Sequence, residues 1–327
     1  MNKETFPTQF NQPFTDLRKC GPFILFQFDV NAFFINNEGK VHLSINLHEM
    51  MRNWIINWIR NRIKNPTFVN DLSESDLSEP NLSEPDLSEP DLSETQILFS
   101  EKGRVIMVYN NHCGFFDIKE NPLIFNNFPI EYDSSCKCAY SGYFDSLFVI
   151  KGNILKIYCM NEHDFYVTEF NIPESSSSIY VSITKIAIEY PDTIVFWNIS
   201  RTNNTFVLGE TIVIAKLHNE PLNNIIFSSD ERYAYINGSL SNDYICEMNY
   251  GECVTYGERA LDINFSPDNN LFAYIDNKNN IVIRDISGSN QRIIDVNATS
   301  ILWARKLFYS TIIDGQASIR YIDENPI

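Results

Sequence analysis

The sequence of 327 residues contains no long hydrophobic run and does not begin with a basic-then-apolar segment. No apolar stretch reaches the roughly 18 residues that are needed to cross a bilayer. The first residues, Met1-Asn-Lys-Glu-Thr-Phe-Pro-Thr, lack the features of a secretory signal. We therefore expect neither secretion nor a membrane span, and we predict a cytoplasmic protein.

Basic residues are scarce relative to acidic ones. The chain has 25 lysine and arginine residues against 42 aspartate and glutamate residues, which gives a formal net charge of -17. Nucleic-acid affinity depends largely on the neutralisation of phosphates by basic side chains. This charge balance argues against nucleic-acid binding.

The motifs of several common enzyme classes are absent. The sequence contains no Gly-x-Gly-x-x-Gly, P-loop, Gly-x-Ser-x-Gly or His-Glu-x-x-His motif. These patterns bind dinucleotides or phosphates, present a nucleophilic serine, or hold a catalytic zinc ion. We therefore predict a protein without catalytic residues and without a cofactor.

The cysteines are odd in number and scattered. There are seven, and without a secretory context we predict that they are reduced thiols. The group most similar to a set of metal ligands is Cys136-Lys-Cys138, with His112-Cys113 some 24 residues upstream. This spacing matches none of the usual zinc knuckles, so we predict buried free thiols and no metal site.

The hydrophobic content of 44% is sufficient for a large core, and short β-rich runs recur about every 40 residues. Turns rich in Asn, Asp or Gly follow these runs and precede a second alternating strand, which is typical of β-hairpins. The runs are Phe33-Phe-Ile-Asn, Val105-Ile-Met-Val, Leu147-Phe-Val-Ile, Ile194-Val-Phe-Trp, Tyr233-Ala-Tyr-Ile, Phe272-Ala-Tyr-Ile and Leu307-Phe-Tyr-Ser.

Two of these units align at an offset of 38 residues, with one residue of slack. Ile225-Ile-Phe-Ser-Ser-Asp-Glu-Arg-Tyr-Ala-Tyr-Ile matches Ile263-Asn-Phe-Ser-Pro-Asp-Asn-Asn-Leu-Phe-Ala-Tyr-Ile. Here the sequence resembles WD40-like and TolB-like β-propellers, with Arg284-Asp285 in the place of the family's Trp-Asp. The resemblance covers residues 223–323. No Gly-His or Trp-Asp dipeptide is present, so the hydrogen-bonded Asp-His-Ser-Trp arrangement of WD40 blades does not carry over.

Blade arithmetic supports an all-β fold, a β-propeller of seven blades. Without residues 49–95 the chain retains 280 residues, which fits seven units of about 40 residues each. An irregular β-sandwich is the alternative, because it also contains regularly spaced short strands. The last unit ends near Tyr321-Ile-Asp without an outer strand, so we predict that the N-terminal region pairs with the last blade.

Residues 49–66 have a helical period instead. Apolar residues including Trp54 and Trp58 recur at steps of three and four, and Arg52, Arg60 and Arg62 gather elsewhere on the helix. We predict a basic amphipathic helix inserted after the N-terminal segment and first blade, residues 1–48. Three interpretations of its apolar stripe are open: it packs on the propeller, it docks into a partner protein, or it lies on an anionic membrane surface.

Residues 67–95 contain an acidic pentapeptide repeat of the type Asp-Leu-Ser-Glu-Pro. Its period of five matches neither helix nor strand, and its prolines and like charges oppose compaction, so we predict a disordered segment. It acts as a spacer or as a phosphorylated recognition segment, with Ser73, Ser83 and Ser88 as candidate sites because each precedes an acid by three residues. The remaining blades occupy residues 96–327.

These features favour a cytoplasmic, non-catalytic scaffold for protein partners. The Asn- and Ile-rich composition is typical of AT-rich genomes, such as those of large DNA viruses and some protists. A structural or packaging component of a large DNA virus particle is therefore an alternative. In that case the protein would be located in the host cytoplasm or in the virion. A propeller hydrolase or lyase is a second alternative, because such enzymes assemble their sites from several blades.

Overall fold

Alternating and fully apolar runs fold here into antiparallel strands joined by short polar turns. The computed structural model describes residues 16–20, 23–28, 31–35, 41–47, 49–50, 53, 96–100, 103–109, 112–118, 126–133, 135–160, 165–202, 205–216, 221–238, 243–255, 259–303, 306–313 and 316–322. Within these ranges there are 27 strands in seven sheets, and the strands of each sheet follow one another in sequence.

Each sheet is a blade, numbered 1 to 7 in chain order. Blades 1 to 3 contain β1 (Asp16–Cys20), β2 (Phe23–Phe28), β3 (Asn31–Ile35), β4 (Val41–Asn46); β5 (Gln96–Phe99), β6 (Arg104–Tyr109), β7 (His112–Asp117), β8 (Asn126–Pro129); and β9 (Lys137–Ser141), β10 (Ser146–Lys151), β11 (Ile154–Met160), β12 (Phe165–Asn171). Blades 4 and 5 contain β13 (Ser178–Val181), β14 (Lys185–Glu189), β15 (Thr193–Thr202), β16 (Thr205–Ala215); and β17 (Leu222–Phe227), β18 (Tyr233–Gly238), β19 (Tyr244–Glu247), β20 (Glu252–Thr255). Blades 6 and 7 contain β21 (Ile263–Phe265), β22 (Leu271–Ile275), β23 (Ile281–Asp285), β24 (Gln291–Ile294); and β25 (Ala298–Trp303), β26 (Leu307–Ile313), β27 (Gln316–Ile322).

The first strands of most neighbouring blades contact one another. β5 contacts β9, β9 contacts β13, β17 contacts β21, and β21 contacts β25. β25 of blade 7 in turn contacts β1 of blade 1, so the blades close into a ring. The chain is a seven-bladed β-propeller, which confirms the fold predicted from the repeat spacing and excludes the sandwich. Three strands of blade 7 are described, and residues 1–15 lie outside the described part of the chain.

Hydrophobic side chains fill the space between neighbouring blades on both faces of a sheet. In β6, Val105 and Met107 pack between blades 1 and 2, whereas Ile106 and Val108 pack between blades 2 and 3. All four side chains are completely buried. Because successive residues of a strand point to opposite faces, a strand between two blades needs an apolar residue at every position.

Buried or partly buried carboxylates join neighbouring blades by accepting hydrogen bonds from backbone N–H groups. They provide acceptors between blades in a protein whose sequence lacks the Asp-His-Ser-Trp arrangement. The donor and acceptor residues are Leu222 with Glu189 at 2.9 Å, Ala260 with Asp243 at 2.6 Å, and Ile301 with Asp262 at 2.8 Å.

Asp243 has the most enclosed of these carboxylates, with no exposed surface. It accepts hydrogen bonds from the Tyr235 hydroxyl and from the Ala260 N–H. Burial nevertheless raises the pKa of the Asp243 carboxyl above its usual value, because the interior disfavours its charge. The link between blades 5 and 6 therefore depends on the buried carboxyl of Asp243, and the protein interior favours the neutral form of this group.

Two cysteines correct the prediction that all seven are reduced. Cys246 in β19 lies directly opposite Cys253 in β20, with Cα atoms 4.0 Å apart, and the two form a disulfide. Their separation of seven residues spans one hairpin, and strand register makes them cross-strand neighbours. The spacing of these two cysteines along the chain was therefore a better indication of their pairing than the total number of cysteines.

Four other cysteines, Cys113, Cys136, Cys138 and Cys159, are free thiols. Burial raises the pKa of Cys138 to about 12, and it also raises the pKa values of Cys113 and Cys136. Cys113, Cys136 and Cys138 therefore stay protonated at neutral pH and have the character of apolar side chains.

Only the first few residues of the segment between β4 and β5 are described, so the helix over residues 49–66 stays a prediction. The Glu49 N–H donates to Asn46 Oδ1 at 2.9 Å, which is the hydrogen bond of a helix N-cap. Leu47, Met50 and Asn53 have helical backbone, and the side chains of Leu47 and Met50 are buried in the core of blades 1 and 2. Residues 54–95 lie outside the described residues. In the part of the chain that is described, no helix has the length and apolar character of a membrane span.

We expect Asp243→Ala to lower the free energy of unfolding by about 1–3 kcal/mol, because two buried donors lose their acceptor. Asp243→Asn keeps an acceptor oxygen and removes the charge, so it should cost less at neutral pH. The stability linked to the raised pKa of Asp243 is complete below the usual pKa of an unfolded aspartate and is lost as pH rises through the folded-state value. In denaturant titrations across this pH range, the free energy of unfolding of the Asn variant should increase relative to that of the wild type as pH rises. Equal losses for the Ala and Asn variants at neutral pH would contradict this account.

The disulfide predicts a difference in thiol count. After denaturation without a reductant, the chain should take up two fewer alkylating groups than after reduction, because Cys246 and Cys253 are bonded to each other. Intact-mass spectrometry measures the difference. A Cys246→Ala/Cys253→Ala variant should show no difference between the two treatments. Equal uptake by the wild type would mean that both residues are thiols.

Candidate functional site

The side chains that the sequence singled out as binding or modification sites lie outside the described residues. They are Arg52, Trp54, Trp58, Arg60 and Arg62 of the predicted helix and Ser73, Ser83 and Ser88 of the acidic repeat. The structure therefore does not test these predictions. The candidate site that it does define lies elsewhere, between blades 5 and 6.

A groove of about 520 Å³ separates these two blades at one face of the ring. It is lined by the turn between the first and second strands of each blade, by the turn between the third and fourth strands of blade 6, and by residues of β19 and β20 in blade 5. We call it the acidic groove, and its lining consists of Asp230, Arg232, Tyr233, Ile245, Glu247, Glu252, Val254, Asp268, Asn269, Asn270, Asp285, Ile286 and Ser287.

The same turn occurs in both blades and positions one acid in each. Ser228 Oγ donates to Asp230 at 2.7 Å in blade 5, and Ser266 Oγ donates to Asp268 at 2.6 Å in blade 6. Each serine oxygen also accepts the N–H of the first residue of the next strand, at 3.0 Å in both turns. Serine and aspartate favour such turns because their side chains bond to the local backbone. The repeat therefore fixes two carboxylates at equivalent places.

The two turns are also bonded to each other. The backbone N–H and the hydroxyl of Ser229 in blade 5 both donate to Asn269 Oδ1 in blade 6, each at 2.8 Å. The backbone of Asn269 has a positive φ of 58°, which asparagine tolerates better than most residues do. These contacts hold the groove's two sides at a fixed spacing.

Five acidic side chains and one basic side chain line the groove. Burial disfavours the charge of Asp285, but hydrogen bonds from Ser287, Ser289 and Asn290 outweigh it and lower the pKa of Asp285 to about 2. The hydrogen bond from Ser266 likewise lowers the pKa of Asp268. These two carboxylates are therefore negatively charged at neutral pH.

The wall of the groove in blade 5 combines like charges with apolar surface. Glu247 lies directly opposite Glu252 in the register of β19 and β20, and Ile245 lies opposite Val254. Like charges in such cross-strand pairs destabilise a sheet. Arg232 lies 3.6 Å from Glu247, and its guanidinium lies 5.4 Å from the ring centre of Tyr233.

The chemistry available to the groove is that of cation attraction. Its lining contains carboxylates, amides, one guanidinium, two hydroxyls and apolar side chains, and it contains no histidine or cysteine among the described residues. No group of three or more metal-ligating side chains occurs within the described ranges. The pair singled out by sequence, Cys136 and Cys138, contacts Asp133 and Gln96 respectively.

Comparison with known proteins identifies the fold. No protein-family model and no curated protein matches the sequence. By contrast, 1294 solved chains match the structure, among them the crystal structure of the β-propeller domain of Cps50 (Swd1) from Myceliophteria thermophila. The TM-score is 0.57 at 8% sequence identity, and the match covers 98% of this chain and 100% of that one. The chain is thus a seven-bladed β-propeller that resembles a WD40 propeller.

Sequence reasoning did not find the acidic groove, because its residues come from turns and strands of two blades and span about 60 positions. A signal was nevertheless present. The matched Ser228-Ser-Asp and Ser266-Pro-Asp turns, 38 residues apart, place Asp230 and Asp268 in adjacent blades. Combined with the propeller prediction, this offset implies that the two acids lie at the same face of the ring.

Replacing one member of the like-charged pair should stabilise the fold. We expect Glu252→Gln to raise the free energy of unfolding by about 0.2–1 kcal/mol, because it removes the repulsion from Glu247 across the strands. The gain should shrink at high salt, which screens exposed charges. Glu174→Gln is the matched control, since Glu174 is exposed and outside the groove. A loss of stability in Glu252→Gln alone would contradict the assigned repulsion.

Proposed function

We propose that this chain is a non-catalytic scaffold for protein–protein interaction, built on a WD40-like propeller. Propellers of this type commonly serve as interaction scaffolds. The observation that supports the proposal most directly is the acidic groove, an open, charged and partly apolar surface held by hydrogen-bonded turns. Surfaces that combine a few apolar groups with fixed polar groups are suited to specific binding.

The inserted segment is a second binding element in this proposal. Trp54 and Trp58 would supply an apolar stripe, and Arg52, Arg60 and Arg62 would supply positive charge on the same helix. Phosphorylation at Ser73, Ser83 and Ser88 would add negative charge beside it. The scaffold would act in the cytoplasm, and the Cys246–Cys253 disulfide is the feature that argues against such a reducing compartment.

The test compares the partners of the full chain with those of a chain lacking residues 49–95, each expressed in the native host and recovered by proximity labelling and pull-down. We expect stoichiometric protein partners for the full chain and the loss of some of them with the deletion. A Trp54→Ala/Trp58→Ala variant shows whether the helix itself carries that binding. Partners must bind again when both proteins are purified.

Two outcomes count against the proposal. If no stoichiometric protein accompanies either chain, the scaffold function is wrong. If the partners of the full chain and of the deletion are identical, the inserted segment is not a binding element, and the faces of the propeller carry the interaction.

A further inference from the structure

We propose that the acidic groove binds an extended, basic segment of a partner protein, in which lysine or arginine residues alternate with apolar residues. This inference rests on the scaffold function and specifies the partner's chemistry at one site. It is argued from the shape of the groove, its apolar wall and its charges.

The apolar part of the groove fits side chains with a hydrocarbon stem. Val254 is 62% exposed although it stands on a strand beside Ile245, and Ile286 lies across the groove in blade 6. Lysine and arginine cover such surfaces with their methylene groups while the charged head reaches polar groups. Aliphatic side chains of the same segment would bury the remaining surface.

The charged part of the groove fits the heads of those side chains. Glu247 and Glu252 repel each other across β19 and β20. A cation placed between them would attract both carboxylates and offset this repulsion. Arg232 is the one basic residue among the described lining residues, and it is 55% exposed and lies at one side of Glu247. The carboxylates of Asp268 and Asp285 add charge that persists at neutral pH.

The dimensions favour a segment over a folded surface. A volume of about 520 Å³ holds a few side chains, and the groove runs between two blades instead of forming a flat face. Its three aspartates, Asp230, Asp268 and Asp285, are already fixed by turn hydrogen bonds, and its two sides are joined through Ser229 and Asn269. Such preorganisation reduces the entropy that binding costs.

The charges of the pair can be removed without removing the side chains. Glu247→Gln/Glu252→Gln preserves shape and hydrogen-bonding capacity and makes the net charge less negative by two. Glu174→Gln/Glu210→Gln changes net charge equally at exposed positions outside the groove. Circular dichroism and thermal unfolding of both variants establish that the fold is retained before binding is compared.

The experiment selects peptides from a displayed random-peptide library on the full chain and measures the selected peptides, made with a fluorescent label, by anisotropy. We expect enriched peptides in which lysine or arginine alternates with aliphatic or aromatic residues. The groove variant should weaken their binding about tenfold, equivalent to about 1.4 kcal/mol, and the control variant should leave it unchanged. Affinity for the wild type should fall as salt rises.

Each remaining outcome contradicts a different claim. Equal weakening by both variants would mean that the peptides respond to the overall charge, which overturns the groove as their site. Enriched peptides without basic residues, or peptides unaffected by the groove variant, would overturn this inference and leave the scaffold function standing. Failure of the wild type to enrich any peptide would count against both. If the full chain self-associates through residues 52–64 and the groove variant is monomeric, the occupant is a second copy and not a partner protein.

Discussion

The fold depends on the need of each blade to bury both faces of its sheet. Central strands such as β6, with four consecutive buried apolar residues at 105–108, present hydrophobic side chains on both faces, so a single blade would expose such a face to water. A linear row of blades would leave such a face at each end. Contact between β25 and β1 removes both ends, because blade 7 covers the outer face of blade 1. Closure into a ring is thus a consequence of the composition of the strands.

Polar contacts between blades determine how neighbouring blades are aligned with each other. The sequence lacks the hydrogen-bonded Asp-His-Ser-Trp arrangement of WD40 blades. Here the buried carboxylates of Glu189 and Asp243 and the partly buried carboxylate of Asp262 accept backbone N–H groups from neighbouring elements. An N–H group that is buried without an acceptor is costly, so these contacts disfavour other alignments. The same architecture is therefore compatible with very different polar residues, in agreement with a sequence identity of 8% to a propeller that covers the whole chain.

The sequence predicted the blades well, because strand runs and their turns are local patterns, and it predicted their number through the repeat spacing. It did not predict which face of a blade each side chain occupies. Tyr233-Ala-Tyr-Ile and Phe272-Ala-Tyr-Ile share three letters, yet Ala234 packs toward blade 4 whereas Ala273 packs toward blade 7. The equivalent turns are 38 residues apart and the two alanines 39, and with a period of two this one-residue difference reverses the face. The disulfide and the groove were missed for a related reason, since both depend on which residues lie opposite each other across strands and blades.

The acids of the groove differ in what the fold requires of them. Asp230, Asp268 and Asp285 each accept hydrogen bonds that shape a turn, so folding alone is a sufficient reason for their presence. Glu247 and Glu252 stand at regular strand positions directly opposite each other, where two glutamates are unfavourable for the sheet. Arg232, 3.6 Å from Glu247, offsets part of this repulsion. A bound cation would offset more of it, which makes these two glutamates the residues where binding and stability can be separated.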